Sequence, residues 1–347
     1  MSLSLRKKYL MSLKQASQHE PIYGVSGLYQ SDPALTRTDD AVGMSWSMVN
    51  NEIVSDFDNV FPYNEMVRET VDGNVMVYVP AIYWRFTKNV DGYIASVAVS
   101  KSPFIANNGE VVGYTDAFYY SAYNGSVENS KLVSKTGKAV QYQTWHSQFR
   151  TYAQANGTGY QLPDLEHLRI LQMLWLIEFA TKNSEAVMWG LAGYGNTNTG
   201  ATDNLTKPSG QTGYRGSMRW HYIEDLVGNG YDFIDGIYGL YVTDNPSQFG
   251  QQAGISFTGT NITDSYELSA LGFADESKPL LIVPKECVSN NSYNTYFCDA
   301  NKMESGNNSY FYGSAETSMS SGLFYMYKKT GGGTEAYLTS RIMKRIS

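Results

Sequence analysis

The clearest alternation of apolar and other residues begins at Val75. Val75, Val77 and Val79 recur at period two, Pro80 interrupts, and after Ala81-Ile82-Tyr83-Trp84-Arg85-Phe86 the alternation resumes at Tyr93, Ala95, Val97 and Val99. Such a pattern puts one face of a strand into a core and the other into water. Asp91-Gly92 stands between the two runs, a pair suited to the φ > 0 positions of a tight turn, so the stretch predicts a β-hairpin. Helical spacing is confined to the middle of the chain. One stretch covers His146 to Asn156 and is stopped by Gly157; a second runs from Pro163 to about Thr181, with Leu168, Leu171, Trp175 and Phe179 on one face. Pro163 suits a first helical turn, and Asp164 and Glu166 suit the positive end of the helix dipole. Residues 1 to about 60 read as a short amphipathic helix followed by irregular chain. Beyond Lys182, Gly, Asn, Thr and Ser punctuation predicts loops and short strands. The expected class is α+β, two central helices flanked by strands.

Length and composition narrow the partners. The chain has 347 residues, a formal charge of −7 and 28 Tyr against 14 Phe. Its aromatic surplus therefore carries hydroxyl groups. No basic block could neutralise several phosphates, so nucleic acid is not an expected partner. The early positive cluster of MSLSLRKKYLMSLKQASQHE is followed by Ser12, Lys14, Gln15 and Ser17, which break the roughly 7–15 apolar residues of a signal peptide. Met173 to Ile177 is closed by Glu178 and falls far short of the roughly 20 residues of a membrane span. A soluble chain without an export signal or membrane insertion is expected.

The search for catalytic chemistry assembles no constellation. Gly193-Tyr194-Gly195-Asn196-Thr197-Asn198-Thr199-Gly200 fits neither GxGxxG nor a GxxxxGK[ST] loop and reads as a surface loop. His19, His146, His167 and His221 are far apart, without HExxH, and read as structural or surface histidines. Cys287 and Cys298 have no CxxC or nearby His and read as reduced structural thiols. No GxSxG elbow is present. Between Glu224 and Gly236, the acids Glu224, Asp225, Asp232 and Asp235 together with Asn229 offer the oxygen ligands that calcium takes, although the spacing is not an EF-hand. No cofactor and no metal are expected; calcium here is the alternative left open, against a tight turn at Asn229-Gly230 with the acids capping or pairing locally.

Several ordered segments together resemble the C-type-lectin-like fold in its formylglycine-generating-enzyme-like branch, which phage tail proteins and the variable proteins of diversity-generating retroelements use. Phe118 to Tyr123 looks like the family's opening strand, and Tyr160-Gln161-Leu162-Pro163-Asp164-Leu165-Glu166-His167-Leu168 is similar to its YRLPTEAEWE segment. Tyr214-Arg215-Gly216 and Val227 to Gly236 look like the GNVWEF(V)DG region, with Tyr231 for Trp and Asp232 for Glu. Ser321-Gly322-Leu323-Phe324-Tyr325 and Thr339-Ser340-Arg341-Ile342-Met343 resemble the closing GLFY and G(A/S)RL strands. Thr36-Arg37-Thr38 and Phe61 to Met66 resemble the upstream region of phage tail members. The resemblance implies a C-type-lectin-like fold with two helices and short twisted antiparallel strands over 113–347, preceded by a small β-rich region over 1–112 that could serve virion attachment. The catalytic branch depends on cysteines near the C-terminal strands, whereas Cys287 and Cys298 lie in a segment resembling the non-catalytic, variable branch. Enzyme activity is therefore not expected. The Glu-Pro-Asn and Trp-Asn-Asp triplets of calcium-dependent sugar binding are also missing.

The segment from about 289 to 344 concentrates Tyr, Asn, Ser and Gly, as in Asn290 to Tyr296, Asn307 to Ser314 and Tyr325-Met326-Tyr327. Tyrosine supplies large amphipathic contact area at small rotamer cost, and the small polar residues supply adaptable hydrogen bonds, the composition of a binding surface. A Tyr-rich sheet with cross-strand aromatic pairs is the plain alternative. In retroelement-diversified relatives, template adenines are mutated on copying, which implies diversity on one exposed face. The expected ligand-binding islands are Ala300, Asn301, Lys302, Met303 and Glu304; Glu316, Thr317, Ser318 and Met319; Tyr325, Tyr327 and Lys329; and Thr334, Glu335 and Tyr337. The resulting expectation is a phage or prophage tail-tip protein, located on the virion tail, whose hypervariable surface recognises a host cell-surface protein or glycan. Other tail proteins and further copies of the chain are the remaining expected partners. A bacterial surface adhesin of the same fold and, more remotely, a formylglycine-generating-type enzyme are the alternatives.

Overall fold

Every side chain of the helix Leu165–Phe179 except Glu166 is buried, so it is wrapped on all sides and does not lie with one face on a sheet. In the computed structural model, which describes residues 20–193, 197–238, 241–242, 266–274, 276, 278–288, 295–303, 308–313, 322–330 and 334–346, it is one of two α-helices. We call His146–Gln154 α1 and Leu165–Phe179 α2. The Asp164 carboxylate caps α2 by accepting from the His167 amide at 3.0 Å, and Ala180 ends it in the left-handed conformation at φ 51°. The single apolar stripe predicted from the sequence is thus too narrow a description. Arg169 and Gln172 are buried as well: Arg169 Nε donates to the Ile282 carbonyl at 2.8 Å and a terminal nitrogen to Gln172 Oε1, and Gln172 Nε2 donates to the Leu323 carbonyl at 2.6 Å. Buried polar groups are tolerated when bonded in this way.

Most of the remainder is antiparallel sheet, a β-rich α+β fold. One five-stranded sheet runs in the order Thr36–Asp39, Ile22–Ser26, Ile94–Ser100, Ile82–Lys88, Glu110–Thr115. The hairpin expected around Asp91-Gly92 is its Ile82–Lys88/Ile94–Ser100 pair. Only Gly92 has positive φ, however, because the loop is longer than a two-residue turn: Asn89 closes it by accepting the Gly92 amide on its carbonyl and the Asp91 and Tyr93 amides on its side chain. Residues 20–60 are not irregular. They supply the strands Ile22–Ser26, Thr36–Asp39, Trp46–Val49 and Glu52–Ser55 and the 3₁₀ turn Asp56–Asn59. The expected N-terminal helix falls on residues outside those described.

Two further five-stranded sheets join distant parts of the chain. Val67–Val71 and Asn74–Val79 share a sheet with Phe118–Ser121, Tyr160–Gln161 and Met343–Arg345; Trp46–Val49 and Glu52–Ser55 share another with 210–224. The strand Glu110–Thr115 itself spans position 112. A seven-stranded sheet carries the C-terminal half in the order Ile282–Val288, Tyr266–Phe273, Ala300–Met303, Met326–Thr330, Asn308–Tyr312, Tyr231–Ile234, Leu338–Thr339. The main core packs α2 among residues from Tyr23 to Met343, and a second cluster gathers α1 with Tyr231, Phe233, Tyr325 and Leu338.

Candidate functional site

The seven-stranded sheet brings sequence-distant islands together. Ala300–Met303 runs parallel to Met326–Thr330, pairing Asn301 with Met326, Lys302 with Tyr327 and Met303 with Lys328. Lys329 pairs with Ser309 on the next strand. The island at 334–337 meets the same sheet, since Tyr337 immediately precedes Leu338–Thr339, which pairs in parallel with Tyr231–Ile234. Thr334 is exposed, Glu335, Tyr337 and Tyr327 are half-buried, and Tyr325 is buried. Glu304, Glu316, Thr317, Ser318 and Met319 lie outside the described residues.

Tyr231 organises the aromatic part of this face. Its ring lies 5.5 Å from Tyr325 and 5.3 Å from Tyr337, centroid to centroid, and its amide donates to the Tyr337 carbonyl at 2.9 Å. Tyr327 packs on the same cluster. Tyr231 was not among the expected ligand-binding residues; the sequence placed it in the Val227 to Gly236 segment.

Beneath the face lies a stiff frame. The loop Gly322 to Tyr325 is held by the Leu323 amide on Ser184 Oγ at 2.9 Å, the Phe324 amide on Asp299 Oδ2 at 2.6 Å and the Leu323 carbonyl on Gln172. Burial pushes the Asp299 carboxyl up to about 8. Arg341 is fully buried; its guanidinium reaches Asp232 Oδ2 at 2.6 Å, Asn124 Oδ1 and the carbonyls of Glu224 and Asp225. This ties the Ser340-Arg341 segment to the Val227–Gly236 segment. Gly228, at φ 95°, lets the chain pass Leu191, where a Cβ would come within 2.6 Å of the Leu191 amide nitrogen.

The acids weighed for calcium each have protein donors. Glu224 accepts from the Gly200 and Thr202 amides and from Thr202 Oγ1; Asp225 from the Met218 amide, Ser217 and Asn229. Asp232 holds Arg341, and Asp235 holds Arg150 and His146. The three described histidines all sit on carboxylates, His146 on Asp235 at 3.0 Å, His167 on Asp164 at 2.6 Å and His221 on Glu178 at 2.9 Å. His19 lies outside the described residues. Among the described residues, the group able to hold a metal is Asp58, Glu178 and His221, whose ligand atoms lie within 4.8 Å of one another. Burial pushes both thiols up to about 12, with Glu286 adding to the effect on Cys287 and Asp299 to that on Cys298. Away from the seven-stranded sheet, an open cleft of about 420 Å³ is lined by Arg68, Asp203, Thr206, Arg219 and Tyr222 among others. No helix among the described residues is long and apolar enough to cross a membrane.

No family model and no curated protein matches the chain. Among solved structures, PvdO from Pseudomonas aeruginosa superposes with a TM-score of 0.36 at 10% identity, over 81% of this chain and 98% of that one. A superposition that loose carries no argument about fold family or function.

Proposed function

We propose that the chain is a ligand-binding protein of C-type-lectin-like fold, a phage or prophage tail-tip component that presents residues 300–304 and 316–319 with Tyr325, Tyr327, Lys329, Thr334, Glu335 and Tyr337 as a variable surface to a host cell-surface protein or glycan. The observation that carries this reading is the parallel pairing of Ala300–Met303 with Met326–Thr330. Between them in the chain runs Asn308–Tyr312, which pairs antiparallel with Met326–Thr330, so three segments of the Tyr- and Asn-rich region lie side by side in one sheet. Support comes also from the division of labour along the chain. Buried Leu323, Phe324 and Arg341 make the frame, while Tyr327, Thr334, Glu335 and Tyr337 keep contact with solvent. Half-exposed tyrosines held against a rigid base bind with little entropy loss. Thiols pushed up to about 12 are poor nucleophiles near neutral pH, which favours binding over thiol chemistry.

The test uses the full chain, fluorescently labelled, on a panel of bacterial strains. Saturable binding to particular strains is expected, with at least tenfold loss in the double substitution Tyr327→Ala/Tyr337→Ala and an intact cooperative melting transition. Binding to no strain, or binding indifferent to both substitutions, contradicts the reading.

A further inference from the structure

A largely buried cluster of two acids and a histidine lies at the C-terminal end of α2. Glu178, in the last turn of α2, is completely buried. Its Oε2 accepts from Trp220 Nε1 at 2.8 Å and faces His221 Nε2 at 2.9 Å. Its other oxygen, Oε1, has no hydrogen-bond partner. Asp58, from the 3₁₀ turn Asp56–Asn59, points a second buried oxygen, Oδ1, that also lacks a partner. The ligand atoms of Asp58, Glu178 and His221 lie within 4.8 Å of one another.

Two orphaned carboxylate oxygens beside an imidazole are an expensive arrangement if nothing sits between them. A buried carboxylate without a donor loses its hydration and gains no replacement, and two side by side also repel. A nearby cation would remove both penalties. Arg37 does not fill this role by hydrogen bonding, because its two terminal nitrogens are taken by the backbone carbonyls of Ile177 and Glu178. Protein carboxylate oxygens and imidazole nitrogens lie roughly 2.0–2.2 Å from a tetrahedral zinc, so its ligands are about 3.4 Å apart, and a cluster within 4.8 Å closes on an ion through side-chain movements of about 1 Å.

We infer that Asp58, Glu178 and His221 form a binding site for one divalent first-row transition ion, zinc being the test case. The imidazole nitrogen argues against calcium or magnesium, which take oxygen ligands. When the ion is bound, His221 is neutral and offers Nε2 to the metal, and Trp220 Nε1 remains the outer donor that orients Glu178. Three protein ligands leave a coordination position open, and Asp58, only partly buried, marks the side from which the ion enters. The ion would fasten three elements far apart in sequence: the 3₁₀ turn, the end of α2, and the two-residue turn joining Met218–Trp220 to Ile223–Glu224. Both residues of that turn, His221 and Tyr222, have positive φ, 40° and 68°, at positions that Asn and Gly usually fill. A ligand role gives a reason for a histidine there.

The full chain, stripped of metal with a chelator, is incubated with zinc, desalted and assayed for retained metal by elemental analysis, with cobalt absorption as a second readout. About one zinc per chain is expected, with a rise in melting temperature on zinc addition. His221→Gln and Asp58→Asn should each lower zinc affinity at least tenfold, while His19→Ala leaves it unchanged. Should His221→Gln fail to fold, Asp58→Asn, on the solvent side, decides alone. Zinc-treated chain that retains no metal, or a stoichiometry unmoved by Asp58→Asn in a folded protein, overturns the site. Neither result bears on cell binding through the seven-stranded sheet.

Discussion

Tyr337 and Tyr231 meet edge to face with ring centroids 5.3 Å apart, and the Tyr337 carbonyl accepts the Tyr231 amide at 2.9 Å. One partner is buried framework and the other is half-buried on the proposed contact surface, so the contact couples the surface to its base. Tyr337→Ala removes one aromatic pair but leaves the backbone hydrogen bond. A loss of about 0.5–1.5 kcal/mol in urea unfolding is expected, with a larger effect on cell binding than on stability. Tyr231→Ala, in contrast, should cost about 3–5 kcal/mol, because it empties a packed position under Tyr325 as well.

Arg341 is the joint of the frame. It is a buried cation with one buried carboxylate partner, Asp232, and three further acceptors. Arg341→Met leaves that carboxylate without its counter-charge and should cost about 3–5 kcal/mol, measured by chemical denaturation. The double substitution Arg341→Met/Asp232→Leu should recover part of that loss, since both charges are then gone.

The Asp299 carboxyl, pushed up to about 8 by burial, makes stability depend on pH with a definite sign. An aspartate ionises near 3.9 when unfolded, so between about 4 and 8 the folded chain holds a proton that the unfolded chain has released. This contribution is complete below about pH 4 and is lost as pH rises through about 8. Asp299→Asn mimics the protonated acid and should remove this fall. Urea midpoints compared at pH 5 and pH 8 in the two proteins check it.

Cys287 and Cys298 should be unreactive toward a disulfide reagent at pH 8 in the folded chain and fully titratable after unfolding, because burial pushes both thiols up to about 12. Rapid reaction of either one in the native protein would revive a thiol-based activity.

Where the local pattern is strong, the fold was legible in the sequence. The Val75–Val99 alternation with its Gly92 turn yields the hairpin, and Pro163-Asp164 with the following apolar spacing yields α2 to within a few residues of its ends. The strands of 22–55 were not legible, for a physical reason. Thr36–Asp39 is polar with none of its residues buried, and Glu52–Ser55 buries Ser55 while exposing Val54, so neither shows a run of alternating apolar residues. In α2, Arg169, Gln172 and Glu178 look like a solvated face, but all three are buried, with Arg169 and Gln172 bonded to backbone carbonyls and Glu178 Oε2 to Trp220 and His221 while its Oε1 has no partner. Asp58, Glu178 and His221 meet only through tertiary folding, and no spacing announces them. The segments 300–303 and 325–329 were singled out by composition and the resemblance; their adjacency comes from a parallel pairing that neither encodes.

The central claim is that the residues of these islands vary for contact while their frame stays fixed. Deep resequencing of codons 289–344 across a growing population, with the downstream DNA, tests it most directly. Substitutions at template adenines are expected to be confined to codons 300–304, 316–319, 325, 327, 329, 334, 335 and 337, with invariant Leu323, Phe324 and Arg341, and a near-repeat with a reverse transcriptase gene nearby. An invariant segment, or variation that falls equally on the buried frame, contradicts it.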